Sequence, residues 1–172
     1  AGGRKPFIRL GPWGSLSSKE VYACPGVVRV GDELWSYYAG KNFNHGDVLD
    51  PLADERRSGI LRAVSRLDGF VSADAPYEGG SLTTPPIVFT GKKLELNLDT
   101  SAGGVVRVEI QSAEGKPLDG YTLADADDLN GNSVRMPVSF NGSTDLGRLA
   151  GVPIRLSLQM YDCKLYAFQF AD

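Results

Sequence analysis

The densest group of hard oxygen donors in this chain is Asp125-Ala126-Asp127-Asp128-Leu129-Asn130-Gly131-Asn132. Carboxylates and amides of this kind are the ligands that calcium prefers. Asp125, Asp127, Asp128 and Asn130 are therefore the candidate metal ligands, with calcium as the candidate cofactor. The order departs from the EF-hand pattern, because Leu129 interrupts the every-second-residue series before Gly131. The plain alternative is an acidic surface loop built from Asx-turns. The only His, His45, lies in Lys41-Asn42-Phe43-Asn44-His45-Gly46-Asp47. On residue types alone it is a loop His with no positioned partner. Asp68 precedes Gly69, and its expected task is to accept backbone N–H groups in a turn.

Aromatic residues are the other chemistry-bearing set. Sugar C–H faces pack well on aromatic rings, so Trp13, Trp35, Tyr37, Tyr38, Tyr77 and Tyr121 are candidates for a stacking platform. Trp35 and Tyr37 alternate along one strand face and are expected in a core, with Tyr38 opposite. Tyr77 and Tyr121 fall in turn regions and are expected to be exposed. Gly103-Gly104 reads as a hairpin turn, not as a phosphate loop feeding a helix. No nucleophile-elbow pattern occurs. Cys24 and Cys163 match no metal or redox spacing. They read as two buried thiols, with one long-range disulfide as the alternative.

The chain has 172 residues, 42% of them apolar, and a formal net charge of −3. That balance gives no pull towards nucleic acid or an anionic membrane, both of which want a basic face. No apolar run reaches the ~18–20 residues that span a bilayer. No signal peptide is visible, and Ala1-Gly2-Gly3 is compatible with a processed end. The supply of turn formers, Gly 21 and Pro 10, suits many short strands.

Strand patterns dominate. Val27 to Val30, the turn Gly31-Asp32-Glu33 and Leu34-Trp35-Ser36-Tyr37-Tyr38 predict a hairpin, and Gly59 to Ser65 a third strand. A turn-rich bridge follows at residues 73–81. Ile87-Val88-Phe89 then reads as a strand. Leu94, Leu96 and Leu98 alternate with Glu95 and Asn97, and Val106, Val108 and Ile110 with Arg107 and Glu109. The two glutamates are expected to point into solvent. Val134, Met136, Val138 and Phe140 form a further set, which Pro137 places at an edge or bulge. Ile154, Leu156, Leu158 and Met160 alternate next, and Leu165 to Phe170 closes the chain. The best helical candidate is a short turn over residues 144–149, capped by Ser143. The predicted fold is all-β. Residues 1–66 form a three-stranded unit, and residues 67–172 a jelly-roll-like antiparallel β-sandwich.

Val27-Val28-Arg29-Val30-Gly31-Asp32-Glu33-Leu34-Trp35-Ser36-Tyr37-Tyr38-Ala39-Gly40, followed by Gly59-Ile60-Leu61-Arg62-Ala63-Val64-Ser65-Arg66-Leu67-Asp68-Gly69-Phe70, resembles one blade of the five-bladed β-propellers of glycoside hydrolase families 32 and 43. Arg66-Leu67-Asp68-Gly69-Phe70-Val71-Ser72, Leu82-Thr83-Thr84-Pro85, Asn97-Leu98-Asp99-Thr100-Ser101-Ala102-Gly103-Gly104 and Leu165-Tyr166-Ala167-Phe168 resemble the C-terminal β-sandwich of secreted bacterial glycosyl hydrolase-like proteins. The resemblance implies the last propeller blade plus sandwich of a larger, secreted or periplasmic protein. Its partners would be carbohydrate and the remaining propeller blades. In such a propeller the loop carrying His45 and Asp47 could reach the central pocket. His45, Asp47, Tyr77 and Tyr121 are therefore the candidate carbohydrate-binding residues. Catalytic carboxylates of these enzymes usually sit on earlier blades, so no residue here inherits that role. The expected function is an accessory region for carbohydrate association or structural support, not catalytically complete alone. A stand-alone lectin-like module is one alternative. A hydrolase whose other blades lie on another chain is a second.

Overall fold

The computed structural model describes residues 6–46 and 55–172. The chain divides into two compact units, Ala1–Phe70 and Val71–Asp172. Among the described residues every regular element except one short 3-10 turn is a strand, and every strand pairing is antiparallel. No helix of the described residues is long and apolar enough to cross a membrane.

The first unit is one sheet of β1 (Glu20–Ala23), β2 (Val28–Val30), β3 (Glu33–Lys41) and β4 (Ser58–Arg66). β3 is central. It pairs with β4 over its whole length, and with β2 and β1 in turn along its other side. The register runs Ala23↔Tyr38 and then Val28↔Trp35, so four residues of one strand face two of the other. β1 and β2 are thus one interrupted strand with a two-residue bulge at Pro25-Gly26, where Gly26 takes φ 92°. The sheet is three strands wide, as expected, but its first strand is longer. Proline and glycine hide that continuation by breaking the apolar run. Gly31, at φ 60°, opens the two-residue β2–β3 loop, the position that a II′ hairpin reserves for glycine. Asp68 sits at φ 54° in a turn closed by Gly69 N–H donating to the Arg66 carbonyl at 3.1 Å.

The pairing sorts this sheet's side chains into two faces. On one, an added Cβ at Gly40 or Gly59 would press on Leu16, Ser17 or Leu61, so the segment before β1 lies against it. The other carries Tyr22, Val28, Val30, Tyr37, Ile60 and Val64, all exposed.

The second unit has β5 (Ala73–Ala75), β6 (Gly80–Thr83), β7 (Lys93–Asp99), β8 (Val105–Ser112), β9 (Asn132–Pro137), β10 (Ile154–Tyr161) and β11 (Cys163–Ala171). One sheet has the order β6-β10-β8 and the other β5-β11-β7-β9. The chain changes sheet at every step from β5 to β11, which gives the jelly-roll-like sandwich expected. Leu94, Leu96 and Leu98 of β7 share the core with Val106, Val108 and Ile110 of β8 and with Ile154, Leu156, Leu158 and Met160 of β10. β9, with Pro137, is an edge strand, as proline requires.

Four details differ from the expectations. Gly103-Gly104 is an arch between sheets, not a hairpin, because β7 and β8 belong to different sheets. Ile87 makes a single bridge to Ile154 instead of opening a strand, while Phe89 is buried and stacks on Phe170 at 3.9 Å. The helical turn shrinks to a 3-10 turn, Gly147–Leu149, and Asp145, not Ser143, accepts the Gly147 N–H at 2.8 Å. Glu109 is only 9% exposed. The chain after β8 folds back over that strand, and the Glu109 carboxylate accepts bonds from the Gln111 amide at 2.8 Å and the Leu123 N–H at 3.3 Å. The same segment covers the free edge of β8, where Val106 and Leu129 exchange two backbone bonds of 3.0 Å. Both cysteines are free. Cys163 is buried, and burial pushes its thiol up to about 11, whereas Cys24 is exposed on the bulge between β1 and β2.

A charge placed between the two sheets has no partner there. Leu96→Asp or Val108→Asp should therefore cost at least about 4 kcal/mol and leave the second unit unfolded. Gln159→Asp, on an exposed position of β10, should leave the melting temperature within a few degrees. Thermal unfolding followed by circular dichroism checks both. Wild-type melting of Leu96→Asp would mean that the strand faces are assigned the wrong way round.

Candidate functional site

At one end of the sandwich a hollow of about 360 Å³ opens between β5, β7 and β11. Three separate stretches of sequence meet there. Lys164 of β11 stands directly across from Asp74 of β5 on one side and from Asp99 of β7 on the other. Directly paired residues share a face, and Lys164 lies between the inward-facing Cys163 and Leu165. The row Asp74, Lys164, Asp99 therefore lies on the outer face. Ser101 and Asp162 complete the lining.

Both arches at this end are held tightly. Ser101 and Asp162 take left-handed backbone angles, φ 55° and φ 43°, unusual for residues with a Cβ. The Ser101 hydroxyl donates to Asp162 Oδ2 at 2.6 Å, and the Ser101 N–H donates to Asp99 Oδ1 at 3.2 Å. Gly104 packs so closely on the carbonyls of Thr100, Tyr161 and Asp162 that a Cβ there would collide with all three. The Pro76 carbonyl accepts the N–H groups of Asp162 and Gly79, each at 3.0 Å, which fixes the turn carrying Tyr77 beside the hollow. Tyr77 is 78% exposed. The result is a lining of carboxylate acceptors, one ammonium and one hydroxyl, with the exposed Tyr77 the next residue in the chain after Pro76. Such a set can hydrogen-bond a polyhydroxylated ligand and offer its C–H face an apolar surface.

Of the residues singled out in the sequence, Cys163 lines this hollow, and Tyr77 follows its lining residue Pro76 in the chain. Tyr121 is 5% exposed, contrary to expectation. Its ring meets Phe140 edge-on at 5.1 Å, the Arg148 guanidinium lies 4.5 Å above it, and its hydroxyl accepts the Arg148 Nε–H at 2.7 Å. It is a packed residue of the core. His45 is exposed in the first unit, and its backbone N–H donates to Glu20. Asp47 lies outside the described residues.

The four candidate calcium ligands are each occupied within the chain. Asp125 accepts from the Thr122 N–H at 3.0 Å, the Thr122 hydroxyl at 2.7 Å and the Asn141 amide at 3.1 Å. Asp127 accepts from the Ser139 hydroxyl and, at 2.8 Å, from the Gly142 N–H. Asp128 pairs with Arg107, and Asn130 donates to the Gly104 carbonyl. Among the described residues no group of three or more His, Cys, Asp or Glu could hold a metal ion. The acidic run ties the loop after β8 to β8, to the segment after β9 and to the β7–β8 arch.

Asp74, Asp99, Ser101, Asp162 and Lys164 escape sequence reasoning because pairing, not spacing, assembles them. The available signal was an Asp at or next to the end of three different strands.

Hydrogen bonds to the charged carboxylate lower an acid's pKa. The Thr122 hydroxyl and N–H do this for Asp125, the Ser139 hydroxyl and Gly142 N–H for Asp127, and the Arg107 guanidinium for Asp128. A lowered folded-state pKa contributes stability that is present above the ordinary Asp value of about 3.9 and is lost as pH falls through the folded value. Asp125→Asn and Asp127→Asn should therefore flatten the fall in melting temperature below about pH 4. Chelation of divalent cations should leave the wild-type melting temperature unchanged at neutral pH. A loss of several degrees on chelation, restored by calcium, would return this loop to the status of a metal site.

No protein-family model, no curated protein and no solved structure matches this chain.

Proposed function

We propose that this chain is the accessory region of a larger, secreted glycoside hydrolase-like protein. In this reading the sandwich contacts carbohydrate through the hollow beside Tyr77, and the first unit seats a neighbouring β-sheet. One observation carries it. The face of the first sheet that bears Tyr22, Val28, Val30, Tyr37, Ile60 and Val64 is exposed, and none of the chain's buried hydrophobic residues among those described lies before Ala75. A sheet normally buries one face against a second layer. Here that face combines an apolar centre with charged ends, Glu20 with Lys41 at 3.5 Å at one and the Glu33–Arg66 pairing at the other. Aromatic rings and arginine are enriched where proteins dock. Trp35 and Arg62 supply both, the guanidinium lying 3.9 Å from the ring centroid.

The sugar half of the reading follows from the hollow's chemistry. Asp74, Asp99 and Asp162 accept hydroxyl protons, Lys164 donates, and Tyr77 gives a stacking surface. The same hollow would serve a stand-alone lectin-like module, which differs in needing no second layer on the first sheet.

Ile60→Asp and Val64→Asp separate the two. In the isolated chain each should change the melting temperature by less than about 2 °C, since exposed substitutions cost little. In the chain extended by the polypeptide encoded immediately upstream, each should destabilise the protein by several kcal/mol, because the charge becomes buried. Equal indifference in both, or the absence of any upstream coding sequence, would overturn the accessory-region reading.

A further inference from the structure

We propose that the second unit carries a further sugar site, which holds one neutral sugar ring by a pair of adjacent hydroxyl groups. The inference rests on the carbohydrate reading above but uses different residues. A hollow of about 270 Å³ is lined by Gly120, Tyr121, Phe140, Ser143, Asp145 and Arg148. All six belong to the second unit, every residue of which is described. Leu146, next to Asp145, donates its N–H to the Lys92 carbonyl at 2.7 Å. This hollow is therefore at the Lys93 end of β7, whereas the hollow lined by Lys164 is at the Asp99 end. β7 is seven residues long, which puts roughly 20 Å between its two ends.

Arg148 is held in place before any ligand arrives. Its Nε–H donates to the Tyr121 hydroxyl at 2.7 Å and its Nη2 to the Asp119 carbonyl at 3.2 Å, with the guanidinium 4.5 Å from the Tyr121 ring centroid. Both bonds use one edge of the planar fork, which leaves Nη1 as a free donor. Among the described residues neither Arg148 nor Asp145 enters an ion pair. The Tyr121 hydroxyl accepts from Arg148, but its own proton has no acceptor among the described residues, although Tyr121 is only 5% exposed. A buried O–H without an acceptor costs free energy, and a ligand oxygen in the hollow removes that cost. Asp145 supplies the acceptor. Its Oδ1 takes the Gly147 N–H at 2.8 Å, while Oδ2 makes no bond within the chain. The turn between Phe140 and Ser143 is closed by their backbone bonds of 2.9 and 3.0 Å, so the lining is ordered on that side too. Pre-set side chains lose less rotamer freedom on binding.

A cationic donor and an anionic acceptor on one lining suit a group that both gives and takes hydrogen bonds. A sugar hydroxyl does both, and two on neighbouring carbons bridge a guanidinium N–H and a carboxylate oxygen. An anionic ligand is repelled by Asp145 and a cationic one by Arg148. The rings of Tyr121 and Phe140 are buried, so no stacking face is offered and recognition runs through hydroxyl groups alone. The volume is below the roughly 300–1,000 Å³ of sites for larger ligands, which limits it to one ring.

The test titrates the full chain and follows proton–nitrogen NMR signals, the Arg148 Nε–H among them. The probes are methyl β-galactopyranoside, methyl β-fructofuranoside and methyl α-arabinofuranoside, each beside its fully O-methylated form, which cannot donate. Galacturonic acid and alanine are the charged controls. At least one neutral glycoside should shift the Arg148 Nε–H and the N–H groups of Gly120 and Gly147. Its O-methylated form should bind at least about tenfold more weakly, the scale of a charge-assisted hydrogen bond. Added salt should change the affinity by less than about twofold, because the ligand is uncharged. Arg148→Met and Asp145→Asn should each lose about tenfold or more. The asparagine can still accept the Gly147 N–H but turns a donor towards the ligand in place of Oδ2. Should Arg148→Met lower the melting temperature, Asp145→Asn alone decides. Equal affinity for a glycoside and its O-methylated form would overturn the inference, as would binding that survives Asp145→Asn. So would a response of Arg148 to galacturonic acid or alanine but to no glycoside. Glycoside shifts confined to Ser101, Asp162 and Lys164 would overturn it too, and would leave the carbohydrate reading standing. No shift anywhere with any glycoside would overturn both.

Discussion

Burial of alternating aliphatic side chains between two sheets is the constraint on which the second unit depends. Leu94, Leu96 and Leu98 from one sheet meet Val106, Val108, Ile110, Ile154, Leu156 and Leu158 from the other, each almost wholly removed from water. At about 25 cal/mol per Å² of apolar surface, side chains of this size each contribute roughly 1.5–3 kcal/mol when fully buried. Because the chain crosses from sheet to sheet at every step, each connection is an arch across this core. The arches at one end bring Asp99, Ser101 and Asp162 together, and Gly104 can sit between them only because it lacks a Cβ. The hollow is thus a consequence of how the apolar layers are joined.

β-Bulges adjust the outer layer to the same core. β11 carries an extra residue at Tyr166, opposite Leu98 and Asn97, and β9 slips against β7 between Leu96 and Leu98. Without the extra residue, Ala167 and Gln169 would follow Leu165 onto the inward face. With it, Phe168 and Phe170 pair with Leu96 and Leu94, and Phe170 can stack on Phe89. The first unit has no such core among its described residues. Its sheet is held by backbone pairing, by cation–ring contacts at Trp35 and Tyr22, and by the segment before β1 on one face.

Much of the fold was legible because period-2 alternation reports a half-buried strand directly, as at β7, β8 and β10. What failed was whatever depends on a third element. Glu109 alternates with buried aliphatics and should face solvent, yet the segment after β8 crosses over it. Tyr121 sits in a turn and should be exposed, yet Phe140 and Arg148 enclose it. β1 went unseen because Pro25 and Gly26 divide a strand that pairing reunites. The acidic run at residues 125–132 has a metal-like composition. Its carboxylates are instead occupied by Thr122, Ser139, Asn141, Gly142 and Arg107, which no spacing rule within the run could reveal.

The second unit has its own buried core, whereas one face of the first unit's sheet is exposed. Native-state hydrogen exchange of the isolated chain measures this strand by strand. Amides of β7, β8, β10 and the first half of β11 should exchange only through global unfolding. Those of β3 and β4, although fully paired in the interior of their ladder, should exchange faster by at least about two orders of magnitude through local opening. Equal protection of β3, β4 and β7 would contradict this difference, because it would mean that the first sheet is already stabilised as fully as the sandwich.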